Sequence, residues 1–162
     1  MAFNTLDPAG EDACRREDRL QLEGSSLRPA EPITTCSVAA AFEFWRLHTV
    51  TPVAEDIFGA DVQEIRHLGT YSCRRLYGRS EGPFSEHATG NAIDIAGFGL
   101  EDGTTISVLE DWQDGGDKGA FLSRVRDGAC QAFATVLSPD YNAAHADHFH
   151  FDQAERWGSV CR

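Results

Sequence analysis

Three of the six histidines in this 162-residue chain fall within the segment His145–His150. If the chain is extended over Asp147–Asp152, His148 and His150 point to the same face, because side chains alternate along a strand. The phenylalanines that alternate with them then point into a core. Two imidazoles side by side on a strand indicate a metal site, although a catalytic zinc usually has a third protein ligand.

Candidates for the missing ligands lie upstream. His87 and Asp94 bracket small residues that include Gly90, and a glycine permits a tight turn or a positive φ. The run Ala92–Ala96 then indicates a strand. A loop that returns into a strand can place an imidazole and a carboxylate on one ion. His87, Asp94 and His150 would therefore supply N, O and N.

Two histidines, one carboxylate and an open position for water form the donor set of hydrolytic zinc. The metal lowers the pKa of the water to about 7 and polarises a scissile carbonyl. Non-haem iron uses the same donor set and is the main competing metal. Any single His or Asp is more commonly solvated or structural. Two separate clusters with ligand-like spacing favour the metal site.

The pattern S-x-H-x-x-G-x-A-x-D followed by H-x-H resembles the zinc peptidases grouped with lysostaphin, the D-Ala-D-Ala peptidases and the hedgehog signalling domain. Further stretches resemble the bacterial extensin-like C-terminal domain family across roughly residues 30–162. These stretches are Tyr71–Arg74, Ser85–Ala88, Asn91–Phe98, Tyr141–Asp152 and the final Cys161–Arg162.

The resemblance implies that His87, Asp94 and His150 are zinc ligands. It implies that His148, the first histidine of the H-x-H pair, acts in catalysis and does not bind the metal. His145 matches a further active-site histidine of the penicillin-insensitive murein endopeptidases, which share the H-x-x-H-x-H spacing.

The resemblance also implies that Arg74 stabilises the developing oxyanion, as an arginine does in the D-Ala-D-Ala peptidases. The adjacent Arg75 is the alternative.

The preferred general base or transition-state stabiliser is His148, because strand alternation keeps it beside His150. Asp147 is the alternative, since it lies three residues before His150, where related carboxypeptidases have an acidic base. In a regular strand Asp147 would face away, so that role requires a bulge or a late strand start. Glu86 and Asp152 are candidates to orient the ligand imidazoles through their free N–H groups.

Together with these residues, the resemblance implies a zinc-dependent peptidase that hydrolyses an amide bond in peptidoglycan stem peptides or crosslinks. One alternative is a non-catalytic cell-wall-binding or structural zinc module, with His145 as a fourth ligand. Another is an iron enzyme or a different metal hydrolase. Endopeptidase or carboxypeptidase activity and the oligomeric state stay open. The formal charge of −12 argues against binding nucleic acid, and no apolar run is long enough to span a bilayer.

The cysteines bear on the compartment. Five cysteines with no C-x-x-C pair favour an oxidising environment, whereas Met1–Ser26 lacks the apolar stretch of a signal peptide. We therefore expect a mature or trimmed form of a periplasmic or secreted protein. A disulfide is predicted between Cys130 and Cys161. The alternative is that Cys73 and Cys130 are small buried hydrophobic residues.

The helices and short strands predicted from the sequence indicate an α+β domain. A small antiparallel sheet would carry the zinc site on one face and helices on the other. Residues 1–30 are predicted to form a poorly ordered arm with a short helix at Asp12–Leu22. Residues 31–162 are predicted to form a single zinc-peptidase-like domain. Helices are predicted at 36–48, capped by Ser37, at 52–57, ended by Gly59, and at 118–137.

Strands are predicted at 62–65, 68–74, 92–98 and 105–109. A hairpin turn is predicted at Glu101–Thr104, and a flexible loop at Glu110–Asp117.

Overall fold

The computed structural model describes residues 2–155 and 158–162. The strands in these ranges are β1 (Ala2–Thr5), β2 (Leu20–Glu23), β3 (Leu27–Arg28), β4 (Ile33–Thr34), β5 (Val62–Gly69), β6 (Ala92–Leu100), β7 (Thr105–Ser107), β8 (Thr135–Leu137), β9 (Phe149–Asp152) and β10 (Val160–Cys161). The α-helices are α1 (Cys36–Trp45), α2 (Thr51–Phe58), α3 (Val108–Asp111) and α4 (Asp117–Ala129), and a π-helical segment, Arg46–Val50, joins α1 to α2.

The larger sheet has the strand order β10-β8-β9-β6-β5-β3, and β7 also pairs with β6. Its central pairs are antiparallel, whereas β3 with β5 and β8 with β10 are parallel. Strands β1, β2 and β4 form a smaller antiparallel sheet. The α+β prediction is confirmed, with parallel pairs added at the edges of the larger sheet.

The core lies between one face of the larger sheet and the helices. Trp45 of α1 is fully buried, and its indole Nε1 donates a hydrogen bond to the Val125 carbonyl of α4 at 2.7 Å. Its ring meets Phe151 of β9 edge-on, with 5.2 Å between centroids. Helices α1 and α4 are thus joined over the sheet, which leaves the opposite face available for polar side chains.

A β-bulge in β6 changes which residues of the strand face the core. Arg66 pairs with Gly97 whereas the next residue, His67, pairs with Ile95, so Ala96 is an extra residue on β6. The core positions on β6 are Ile93 and Ile95 before the bulge and Phe98 and Leu100 after it. Bulges re-aim side chains in this way and are common near active sites.

The structure differs from the prediction of a poorly ordered arm. Strands β1 and β2 pair with each other, β3 pairs with β5, and Leu20, Leu22 and Leu27 are buried. The helix predicted over Asp12–Leu22 is wrong: a short 3₁₀ turn at Asp12–Cys14 precedes β2. The buried leucines of β2 are two residues apart, which is the period of a strand.

The helix predicted at 118–137 ends at Ala129, and its last three residues form β8. The β-branched Thr135 and Val136 suit a strand, and Val136 is buried opposite Phe151 of β9. The predicted cap at Ser37 is also wrong, because the Thr35 side chain accepts the hydrogen bond from the Val38 amide.

The remaining differences are local. Val62–Gly69 forms one strand where two were predicted, and residues 70–74 are irregular. Helix α3 begins at Val108, so the predicted strand is shorter and the predicted flexible loop is partly helical. Strand β6, the turn that follows it, and the helix end at Gly59 are confirmed.

Candidate metal centre

His87 is held by a short 3₁₀ helix, Glu86–Thr89. At the start of this helix, the Ser85 hydroxyl accepts a hydrogen bond from the His87 amide. Gly90 ends the helix with a φ of 74°, a conformation that glycine adopts without strain. The His87 ring is buried, and its Nδ1 lies 3.2 Å from the carbonyl oxygen of Thr70. A carbonyl can only accept, so Nδ1 carries the proton and the Nε2 lone pair is available to a metal.

Asp94 and His150 lie directly opposite each other on β6 and β9. Asp94 Oδ1 and His150 Nδ1 are 2.9 Å apart. On the other side of the ring, His150 Nε2 lies 3.1 Å from the Asp152 carboxylate. Asp152 therefore holds the proton on Nε2 and turns Nδ1 towards Asp94, as predicted for this carboxylate.

We call His87, Asp94 and His150 the ligand cluster. His87 Nε2 lies 3.2 Å from His150 Nδ1 and 3.1 Å from Asp94 Oδ2. Two ligand atoms about 2.0–2.1 Å from one tetrahedral zinc would be about 3.3 Å apart. The two imidazole nitrogens and the carboxylate thus have the spacing and the free lone pairs to hold a metal ion.

Without a metal, the ligand cluster is a strongly coupled ionic group. Burial opposes charge on Asp94, but the contacts with the His150 and His87 imidazoles outweigh it and hold the pKa of this carboxyl well below its usual range. Burial would likewise lower the pKa of His150, but hydrogen bonds to Asp152 and Asp94 raise it to about 9. In the metal-free protein a proton on His150 thus occupies part of the space of the ion.

His145 and His148, which we call the outer pair, lie beside the ligand cluster in a pocket of about 170 Å³. Strand β9 begins only at Phe149, yet His148 Nε2 is 3.6 Å from Asp94 Oδ1, on the face predicted from alternation. His148 Nδ1 lies 2.7 Å from Asp147 Oδ1. Asp147 is about half exposed and bonds to His148 instead of lining this pocket.

The second member of the outer pair is bonded to an amide. His145 Nδ1 lies 2.8 Å from Asn142 Oδ1, and Asn142 Nδ2 lies 3.3 Å from the Tyr77 hydroxyl. Burial, and then the proximity of the His148 and His150 imidazoles, lower the pKa of His145 to about 4. His145 is therefore neutral at pH 7.

Arg74, and not Arg75, lines the pocket of the ligand cluster. The Arg75 guanidinium donates to the Gly82 carbonyl and lies over the Phe84 ring. The loop that carries Arg74 is attached to the N-terminal segment by a disulfide between Cys14 and Cys73.

A second contact holds the same loop. The Arg16 guanidinium lies 3.8 Å from the centroid of the Tyr71 ring. Residues predicted to form a poorly ordered arm thus support one wall of the site.

Glu86, which was predicted to orient a ligand imidazole, does not contact one. The Glu86 carboxylate accepts a hydrogen bond from Asn91 Nδ2 at 2.8 Å, and the Thr70 carbonyl orients His87 instead. The sequence did not single out Thr70 or Tyr77, which lines the pocket. The role of Thr70 depends on its backbone carbonyl, which every residue type has, so the sequence gives no signal for it. Tyr77 is unusual only in the folded chain, where it has a left-handed φ of 58°.

The cysteine prediction is confirmed for one pair. Cys130 and Cys161 form a disulfide, and Cys36 is an exposed free cysteine. Two disulfides are typical of proteins that work in an oxidising compartment, outside the cytoplasm. Within the described parts of the chain, no helix has both the length and the apolar character needed to cross a membrane.

Fold and site together define an α+β domain with a His-Asp-His centre able to bind a metal on the open face of its sheet. The chain belongs to the family described as extensin-like protein C-terminus, which matches residues 1–162. No curated protein and no solved structure matches the chain.

Proposed function

We propose that this protein is a zinc-dependent peptidase that hydrolyses an amide bond in peptidoglycan stem peptides or crosslinks. The observation that carries the proposal is the Asp147–His148 hydrogen bond beside the ligand cluster. Three ligand atoms converge on one point, and a further imidazole, that of His148, lies next to them and is oriented by Asp147. A bound zinc would lower the pKa of a water molecule and polarise the scissile carbonyl. The resemblance to zinc peptidases of the cell wall supports the substrate class.

His148 is the proposed general base. Asp147 accepts a hydrogen bond from His148 Nδ1, so the proton of the neutral ring is on Nδ1. The lone pair on Nε2 is therefore free to take a proton from a water molecule near Asp94. This arrangement makes Asp147 a positioning residue and favours His148 over it as the base. Neutral His145, held by Asn142, would contact the substrate from the same wall of the pocket.

Arg74 is the proposed oxyanion stabiliser. Its exposed side chain lines the pocket, and within the described residues no hydrogen bond or ion pair ties down its guanidinium. A positive charge aimed at the carbonyl oxygen stabilises the charge that develops there. Arg75 is less suited to this role, because its guanidinium is bonded to Gly82.

The alternative, a structural zinc module, requires a fourth protein ligand. Within the described residues the cluster has three members. His145 was the predicted fourth ligand, but its ring nitrogens do not lie close enough to the other three ligand atoms to join the cluster, and its Nδ1 is bonded to Asn142. A set of three protein ligands favours an open coordination position, which hydrolysis needs. We also propose that the protein works in the periplasm or after secretion, where its disulfides are stable.

The test is elemental analysis of the purified wild type and of His87→Ala, followed by digestion of purified peptidoglycan with mass analysis of the products. We expect about one zinc per wild-type chain, none in the variant, and released muropeptides from the wild type alone. Zinc without products would favour the structural module. Iron in place of zinc would favour the competing metal. No metal in protein never exposed to a chelator would contradict the site itself.

A further inference from the structure

A second and larger cavity lies beyond Asp147, next to the site. This cavity, which we call the β5–β6 groove, has a volume of about 810 Å³ and is lined by residues of β5, β6, β7 and α3. Asp147 forms part of its wall and is hydrogen-bonded to His148 in the pocket of the ligand cluster. Ala96, two residues after Asp94 on β6, also lines it. The groove therefore continues the candidate active site in one direction.

The opposite side of the site is also open. A cavity of about 410 Å³ is lined by His150 together with Tyr77 and Tyr141. These tyrosines are 50% and 44% exposed, so the cavity is not covered by them. The ligand cluster thus has binding space on both sides, whereas a peptidase that removes a terminal residue needs a site that ends close to the scissile bond.

The lining of the β5–β6 groove indicates what it binds. Leu68 and Leu109 are 59% and 63% exposed, which is unusual for leucines that line one cavity. The lining carries both signs of charge, with the basic residues Arg28, Arg66 and Lys118 and the acidic residues Glu64, Glu110, Asp111 and Asp147. Among the described residues of the lining there is no Trp, Tyr or Phe, the rings on which sugars stack. Apolar side chains mixed with both signs of charge suit a peptide that carries both amino and carboxyl groups.

The groove is larger than a subsite for a single residue needs to be. Pockets of about 300–1,000 Å³ hold whole drug-sized ligands, so 810 Å³ accommodates several residues of a peptide. We propose that the β5–β6 groove binds the second peptide of a cross-linked peptidoglycan dimer, so that the bond cut lies within a chain. The proposal rests on the proposed peptidase function and selects endopeptidase over carboxypeptidase activity.

Binding is measured separately from cleavage with the zinc-loaded His148→Ala protein, which we expect to bind without turnover. The probes are a cross-linked muropeptide dimer and the matching uncross-linked monomer, titrated by calorimetry. We expect the dimer to bind more tightly. Leu68→Ala and Leu109→Ala should each weaken dimer binding by about fivefold and leave monomer binding unchanged, because each leucine loses apolar contact. Leu47→Ala is the matched control, since Leu47 is 47% exposed and lies outside the groove.

Equal affinity for dimer and monomer, or no effect of either groove variant, would overturn the proposal. So would equally tight binding of a glycan strand stripped of its peptides. Digestion by the wild type gives the second readout: conversion of dimer to monomers supports the groove, and release of a terminal amino acid from the monomer contradicts it. Dimer binding that depends on Leu68 and Leu109, with no substrate cleaved, would instead refute the proposed peptidase function and leave the groove standing.

Discussion

The ligand cluster and the outer pair contain the same chemical groups but are held in different ways. His87 and His150 lie on a capped turn and on a strand of the larger sheet, and each has one ring nitrogen bonded away from Asp94. The outer pair precedes β9 in a turn region and is oriented by the local partners Asn142 and Asp147. The lone pairs of the ligand cluster converge on one point and therefore suit a metal. An imidazole of the outer pair is oriented by a neighbouring side chain beside that point and therefore suits proton transfer.

The largest expected effect is on the ligand cluster. Asp94→Asn removes the charge that holds both imidazoles and should reduce the zinc content from about one ion per chain to background, with loss of hydrolysis. Metal analysis after gel filtration measures this. Asp61→Asn, an exposed aspartate outside the site, is the control and should keep its zinc. Full zinc content in Asp94→Asn would mean that Asp94 is not a ligand.

The outer pair should separate chemistry from metal binding. His148→Ala should lower kcat by at least about 100-fold, because proton transfer is lost, while the zinc content stays that of the wild type. Peptidoglycan turnover and metal analysis on the same sample check both statements. His48→Ala, which removes an exposed histidine beside Phe44, should change neither. Loss of zinc from His148→Ala would mean that the roles of His148 and His150 are exchanged.

The pH dependence of metal binding should report on His150. Its pKa of about 9 in the metal-free fold lies above the unfolded value of about 6.5. The proton on His150 therefore stabilises the metal-free protein fully below about pH 6.5, and this contribution is lost as the pH rises through 9. Zinc must displace that proton, so its affinity should rise about tenfold per pH unit from 7 to 9.

Competition titrations with a chelator at several pH values measure this zinc affinity. An affinity independent of pH in that range would mean that His150 is already neutral without the metal.

The smallest expected effect concerns the two disulfides. Cys14→Ser with Cys73→Ser, and Cys130→Ser with Cys161→Ser, should each destabilise the fold by about 2–4 kcal/mol. Only the first pair should also lower kcat, by about fivefold, because it frees the loop that carries Arg74. Thermal unfolding and turnover below the melting temperature separate the two effects. Equal loss of activity in both variants would contradict a positioning role for the Cys14–Cys73 bridge.

Local patterns in the sequence were sufficient for the parts of the site that depend on neighbours along the chain. Strand alternation predicted the common face of His148 and His150, and the small residues around Gly90 predicted the turn between His87 and Asp94. Both predictions agree with the structure, because period-two alternation and a left-handed glycine are set within a few residues.

Periodicity was misleading where a distant partner decided the conformation. The apolar stripe of α4 continued past Ala129, but pairing with β9 made residues 135–137 a strand. The charged N-terminal stretch suggested disorder, but pairing with other strands and the Cys14–Cys73 bridge ordered it. Local propensity carries no information about such partners.

By itself, then, the sequence determined which residues have the chemistry to bind a metal and which of them share a face. The tertiary structure alone decided that Asp94 and His150, 56 residues apart, lie opposite each other, and which nitrogen of each imidazole points inward. The reason is physical: side-chain alternation is a property of the local backbone. Register and tautomer depend on strand pairing and on the Thr70 carbonyl and the Asp152 carboxylate, which reach the site only when the chain has folded.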